Sequence, residues 1–132
     1  MKGLEQYQSI NTQSNVLDAD GHQLITLLFD KIQESLLIAK ASIENNVYDK
    51  KSTALNKAIE ILGGLREFLD LEKGGDIALK LEQLYEWSER TLFAANVANS
   101  IEKIEQVEAV IKEIKEGWVG IKDHANTPAE TT

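Results

Sequence analysis

"IEKIEQVEAVIKEIKEGWVGIK", residues 101–122, decides the fold class. Ile104, Val107, Ile111, Ile114, Trp118 and Ile121 recur at alternating steps of three and four, one stripe of a 3.6-residue helix. Glu102, Glu105 and Glu108 fall between them and read as a solvated face. Working back through the chain, the same rhythm returns three times. From Asp76 to about Asn99 the stripe is Ile77, Leu81, Leu84, Tyr85, Leu92 and Ala95. From about Asp49 to Leu71 it is Leu55, Ala58, Leu62, Leu65 and Leu69, and from His22 to about Asn45 it is Ile25, Leu28, Ile32, Leu36, Ala39 and Ile43.

No stretch sustains the period-two alternation of a strand, and the only proline is Pro128. Four helices of about 22 residues each span roughly 33 Å. Their short connections make sequential neighbours antiparallel, so the expected fold is all-α, an antiparallel up-down four-helix bundle. Residues 1–20, rich in Gln, Asn and Ser, are expected to form a mobile or loosely docked N-terminal arm. Residues 21–123 are the bundle, and residues 124–132 a disordered C-terminal tail.

The breaks between stripes carry the local signals. "ENNVYDKKST" supplies Asn-Asn and a Ser/Thr pair for a stop and restart. In "FLDLEKGGDIALKLEQLYEW", residues 68–87, the spacing predicts a left-handed C-cap at Gly74, an exit at Gly75 and Asp76 opening the next helix, where the macrodipole favours an acid. A phosphate cradle there would need a preceding strand and no flanking carboxylates, yet Glu72 and Asp76 flank it. A calcium loop would need more oxygen ligands than Asp70, Glu72 and Asp76 provide.

The 132 residues fit one domain, and 42% hydrophobic content is enough for a core. A net charge of −8 argues against nucleic acid and against an anionic membrane surface. No cysteine is present, so disulfides and thiolate metal sites are excluded. The N-terminus has no signal-peptide core and no run is long enough to span a bilayer, which points to a soluble cytoplasmic protein. His22 and His124 are the only histidines and neither follows a Glu by three, so a bundle di-iron site is excluded, and no cofactor is expected. Ser88 and Tyr85 have no base spaced to activate them. The remaining chemical alternative is a histidine phosphotransfer bundle using His22; beside it stands a generic helical adaptor.

What is in excess is apolar surface. On the second helix the apolar arc, from Phe68 and Ile61 through Leu65 and Leu62 to Ile59, is roughly 180° wide, against about 100° for a bundle stripe. Leu79, Phe93 and Val97 lie nearly opposite the third helix's stripe, with Trp87 between, and Leu24, Leu27 and Ile38 lie off the first. Either the core is wide, or these residues form grooves that take an apolar helix from a partner.

"LREFLDLEKGGDIALKLEQLYEW", then "TLFAANVANS" and "AVIKEIKEGWVGI", resemble the FliS-type flagellar export chaperones. The shared pattern is Leu69-Asp70, Gly74-Gly75, Leu84-Tyr85, Leu92 with Ala95-Asn96, and Trp118. "YQSINTQSNVLDADGHQLITLLFDK" is similar to the family's arm and first helix, so the resemblance covers roughly residues 3–121. The chain departs at Asp20-Gly21, where the family usually has Ser-Pro, and at Asp30-Lys31, where it has a small Gly-Ala pair. The resemblance implies a non-enzymatic chaperone that binds the disordered C-terminal segment of flagellin, blocks its premature polymerisation and presents it to the flagellar type III export apparatus through an export gate component. Other flagellar regulators are possible further partners. The resemblance adds Tyr7 and Ile10 on the arm, able to cover the empty groove, to the candidates read from the off-stripe faces, Leu24, Leu27, Ile38, Ile61, Phe68, Trp87, Phe93, Asn96 and Val97, for each of which ordinary core is the alternative. Tyr85 and Trp118 are assigned to the core.

Overall fold

A computed structural model of the chain describes residues 18–125. Four α-helices follow one another: α1 (Asp18–Glu44), α2 (Tyr48–Glu67), α3 (Leu71–Ala98) and α4 (Ile101–Ala125). Each packs on its neighbours around a ring, α1 on α2, α2 on α3, α3 on α4 and α4 back on α1, which is the up-down bundle the periodicity predicts. α1 begins at Asp18 and α4 runs to Ala125, so the helical backbone extends three residues before and two residues beyond the span 21–123.

Two of the three links turn on asparagine. Asn46 has φ 59°, and the bonds Asn46 N–H to Ile43 O (3.1 Å) and Val47 N–H to Ser42 O (2.8 Å) close a Schellman motif over the end of α1. Asn99, at φ 51°, ends α3 in the same region, with Ser100 N–H donating to Ala95 O. The Ser100 hydroxyl then accepts from Lys103 N–H and caps α4.

The third link corrects the reading of the glycine pair. α2 stops at Glu67 without a glycine, and Phe68 stays right-handed at φ −75°. Asp70 caps the next helix by accepting Lys73 N–H at 3.0 Å, so α3 starts ahead of both glycines. Gly74 is helical, and Gly75, at φ 54° and ψ −132°, separates the turn 71–74 from the rest of α3. A carboxylate six residues upstream of Asp76 captures the orphan N–H groups first, which is why the helix begins there.

The core is built from Leu28, Phe29, Ile32, Leu36 and Ala39 on α1, Leu55, Ala58, Leu62 and Leu65 on α2, Tyr85, Leu92 and Ala95 on α3, and Ile104, Val107 and Ile111 on α4. The α3 stripe is displaced from the expected one. Ala78, Tyr85, Ser88, Leu92 and Ala95 are buried, whereas Ile77 is 75% exposed and Leu84 lies on the surface. Ile121 is exposed as well. Ser88 tolerates full burial because its hydroxyl donates to Leu84 O at 2.8 Å. Tyr85 is in the core as expected, and burial pushes its phenol up to about 12. Trp118 is half-buried against the core.

Candidate partner-binding surface

Polar cross-links fix how the helices face one another. Between α1 and α4, Lys40 meets Glu108 at 2.7 Å and Glu105 at 3.5 Å, and Lys115 meets Asp30 and the Gln33 side chain. The Glu108 carboxylate raises the Lys40 pKa. Between α2 and α3, the buried Lys51 ammonium donates to Asn96 O at 2.8 Å, near the negative end of α3, and lies 5.7 Å from the Tyr48 ring centre. Ser52 donates to the Asn96 side-chain oxygen at 3.1 Å, and Arg66 meets Glu89 at 3.1 Å and Glu86 at 3.8 Å.

These contacts sort the sequence-predicted groove residues by flank. Gln33 and Lys40 show which side of α1 faces α4. At 100° per residue Leu24, Leu27 and Ile38 lie on the other side, toward α2. Ser52 and Arg66 likewise mark the α3-facing side of α2 and leave Ile61 and Phe68 toward α1. In an antiparallel pair the start of α1 is level with the end of α2, so Leu24, Leu27, Ile61 and Phe68 frame one junction. Leu27 and Phe68 are exposed there, and Ile38 is half-buried against the core.

Leu24 and Ile61 are buried, and that corrects their expected place on an open groove. Ile61 points into the packed interior, where burying its side chain is worth about 1.5–3 kcal/mol, more than an open groove position returns to a free chain. In the free chain both are covered, while Leu27 and Phe68 are exposed.

Phe93 lies nearest the flank of α3 that carries Glu89 and Asn96, and Val97, one turn on, faces further toward solvent; they are 65% and 74% exposed. Asn96 is committed to α2 through both its backbone and side-chain oxygens. Trp87 is half-buried against the core and does not join either patch. Tyr7 and Ile10 lie outside the described residues. The structure therefore brings together two patches, Leu27 with Phe68 and Phe93 with Val97, on opposite flanks of α2 and toward opposite ends. Sixteen residues separate Ser52 from Phe68, about 24 Å along the helix. Ile77 and Leu84 are exposed apolar residues that the sequence reading assigned to the core.

The chemistry available elsewhere is sparse. A notch between α2 and α3 is lined by Gly63, Arg66, Glu67, Glu82 and Glu89, and burial raises the Glu89 carboxyl against the pull of Arg66. Among the described residues no group of three His, Asp or Glu side chains could hold a metal ion, and no helix is long and apolar enough to cross a membrane. His22 Nε2 donates to Trp118 O at 2.8 Å and its ring stacks on the indole, 4.4 Å between centroids, which closes one edge and one face to a phosphodonor.

Comparison with known proteins adds the following. The family described as "Flagellar protein FliS" matches residues 3–125. The flagellar secretion chaperone FliSB of Pseudomonas aeruginosa is 40% identical over 92% of this chain and 96% of its own length. The flagellar secretion chaperones FliS of Salmonella typhimurium and Escherichia coli are 39% and 36% identical, over 94% and 89% of this chain and 93% and 87% of theirs.

Proposed function

The chain belongs to the FliS family of flagellar proteins, and on that premise we propose that it is a non-enzymatic cytoplasmic export chaperone. It binds the C-terminal segment of flagellin, prevents premature polymerisation and delivers the subunit to the flagellar type III export apparatus. The observation that carries this reading is the separation of the two exposed patches. Leu27–Phe68 and Phe93–Val97 lie on either side of α2 and toward its opposite ends, which suits an extended segment better than a single compact anchor. A segment disordered when free can wrap α2 and reach each with successive apolar residues, offsetting its ordering entropy with buried area.

The two patches are the contact surface in this reading. An export gate component receives the loaded complex. Calorimetry of the full chain against a peptide of the flagellin C-terminal segment tests the function. Saturable binding is expected, and no heat at tens of micromolar overturns it.

A further inference from the structure

The two ends of the chain's described part are locked to one another by a reciprocal pair. Besides the His22 Nε2 bond to Trp118 O, Trp118 Nε1 donates back to His22 O at 3.1 Å, and the rings stack with an interplanar angle of 8°. Each residue's side chain thus bonds the other's backbone carbonyl, and His22 O also accepts from the Thr26 hydroxyl at 3.0 Å. The clasp joins the second turn of α1 to the closing turns of α4, across 96 residues of sequence.

The helix it holds is weak at that end. From Lys112 to Ile121 no residue is fully buried, and Ile114 and Trp118 are the apolar side chains half-covered there. Past Lys115, the cross-helix side-chain bonds seen among the described residues are those of Trp118. Gly117 and Gly120 bracket Trp118 inside the helix. A Cβ at either would meet nothing within 4 Å, so neither glycine is required by close packing. Neither has the positive φ that would demand glycine. Two glycines in a helix interior, with no steric reason, favour the unfolded turn.

We propose that the end of α4 from Glu116 onward is a releasable latch, kept closed by the His22–Trp118 clasp and kept easy to open by Gly117 and Gly120. Opening lifts the indole off His22 and frees the α1 turn into which residues 1–17 run, so both ends of the bundle let go as one local unit. The α1 flank around His22 and Thr26 is uncovered in the open state. The latch rests on the chaperone reading for its use alone, as hidden surface that a partner segment draws out.

Hydrogen exchange on the free full-length chain, read by mass spectrometry, tests it without any partner, so it can fail while flagellin binding stands, and the reverse. Amides of residues 116–121 and 22–26 are expected to exchange together and well ahead of residues 104–111. Gly117→Ala with Gly120→Ala should slow both segments about tenfold, since each exposed helix glycine is worth several-fold in the opening equilibrium. His22→Ala should speed both, and Trp118→Phe, which keeps a stack but loses the N–H, should do so less. If the alanine pair slows α4 alone, or neither segment, the latch is refuted. Wild-type exchange at 116–121 as slow as at 104–111 refutes it as well. A His22→Ala chain that unfolds throughout raises exchange at 104–111 too, and the alanine pair then decides the matter.

Discussion

Replacing Gly75 by L-alanine and by D-alanine should move stability in opposite directions. The residue sits at φ 54° and ψ −132°, which is the mirror image of extended backbone at about −54° and 132°, close to polyproline II. An L side chain there costs about 1–3 kcal/mol of backbone strain. Nothing lies within 4 Å of the added Cβ, so no steric term adds to it. The chain has a way to limit the cost. The turn 71–74 buries no residue, and giving it up loses chiefly the Asp70 cap, worth about 1 kcal/mol. The expected loss for Gly75→Ala is therefore about 1–2 kcal/mol, a few degrees in Tm for a domain of this size. D-alanine, introduced by semisynthesis, fits the same dihedrals without strain. It should stabilise by about 0.4–1 kcal/mol through reduced freedom of the unfolded chain. Urea unfolding followed by helical circular dichroism measures both. An L-alanine chain as stable as wild type, or a D-alanine chain less stable than the L form, would refute the assignment of Gly75 as the break.

Phe93→Glu should leave stability within about 0.5 kcal/mol, as expected of an exposed site, and abolish binding of the flagellin peptide in calorimetry; loss of the helical signal would place Phe93 in the core instead. Lys51→Met keeps the stem but removes the ammionium held by Asn96 O, and should cost about 1–2 kcal/mol in urea unfolding. Unchanged stability would show that Lys51 does not tie α2 to α3. Tyr85 has its folded pKa raised from 10.0 to about 12, so the unfolded chain loses that proton first. Its contribution is intact below pH 10 and falls by about 3 kcal/mol as pH rises through 12. Phenolate absorbance should show one tyrosine whose ionisation coincides with unfolding, and Tyr85→Phe should remove that component of the alkaline transition.

What the sequence made legible follows from the size of the signals. On α1, α2 and most of α4 the buried stripe consists of large aliphatic residues at strict spacing, so a period count finds both helix and phase. Asn46 and Asn99 were readable as stops because a short polar side chain tolerates the left-handed region. On α3 two stripes compete. Tyr85, Leu92 and Ala95 hold the interior as expected and Leu81 packs against it, but Ile77 and Leu84 yield their places to the small residues Ala78 and Ser88. Small residues let the helix approach its neighbours, and Ser88 hides its polarity by bonding Leu84 O, which no hydropathy pattern records. The start of α3 went the same way: a glycine pair is a loud signal, and a single cap at Asp70 outcompetes it.

The candidate surface was half legible for a related reason. A helical wheel locates residues that leave the stripe, and Leu27, Phe68, Phe93 and Val97 did so truly. It cannot say which neighbour covers a residue just off the stripe, so Leu24 and Ile61 were placed outside although α1 and α2 close over them.

The placement of charge also shows how the adjacent Asp30 and Lys31 are accommodated on α1. Asp30 and Lys31 are adjacent, so their side chains diverge by about 100°. Asp30 turns toward α4, where Lys115 pairs with it, and Lys31 turns toward the α2 side and reaches Glu34 at 3.5 Å. An exposed pair such as Lys31–Glu34 contributes about 0–1 kcal/mol, too little to hold the lysine in place. Lys31 lies four residues after Leu27 and seven before Ile38, on the same flank. Lys31 is thus a cation on a four-carbon stem, which can lie over apolar surface or swing away to solvent. On the proposed function, a segment binding along this flank would pass Lys31 without being blocked by it, and a carboxylate opposite Lys31 would be favoured over a second lysine.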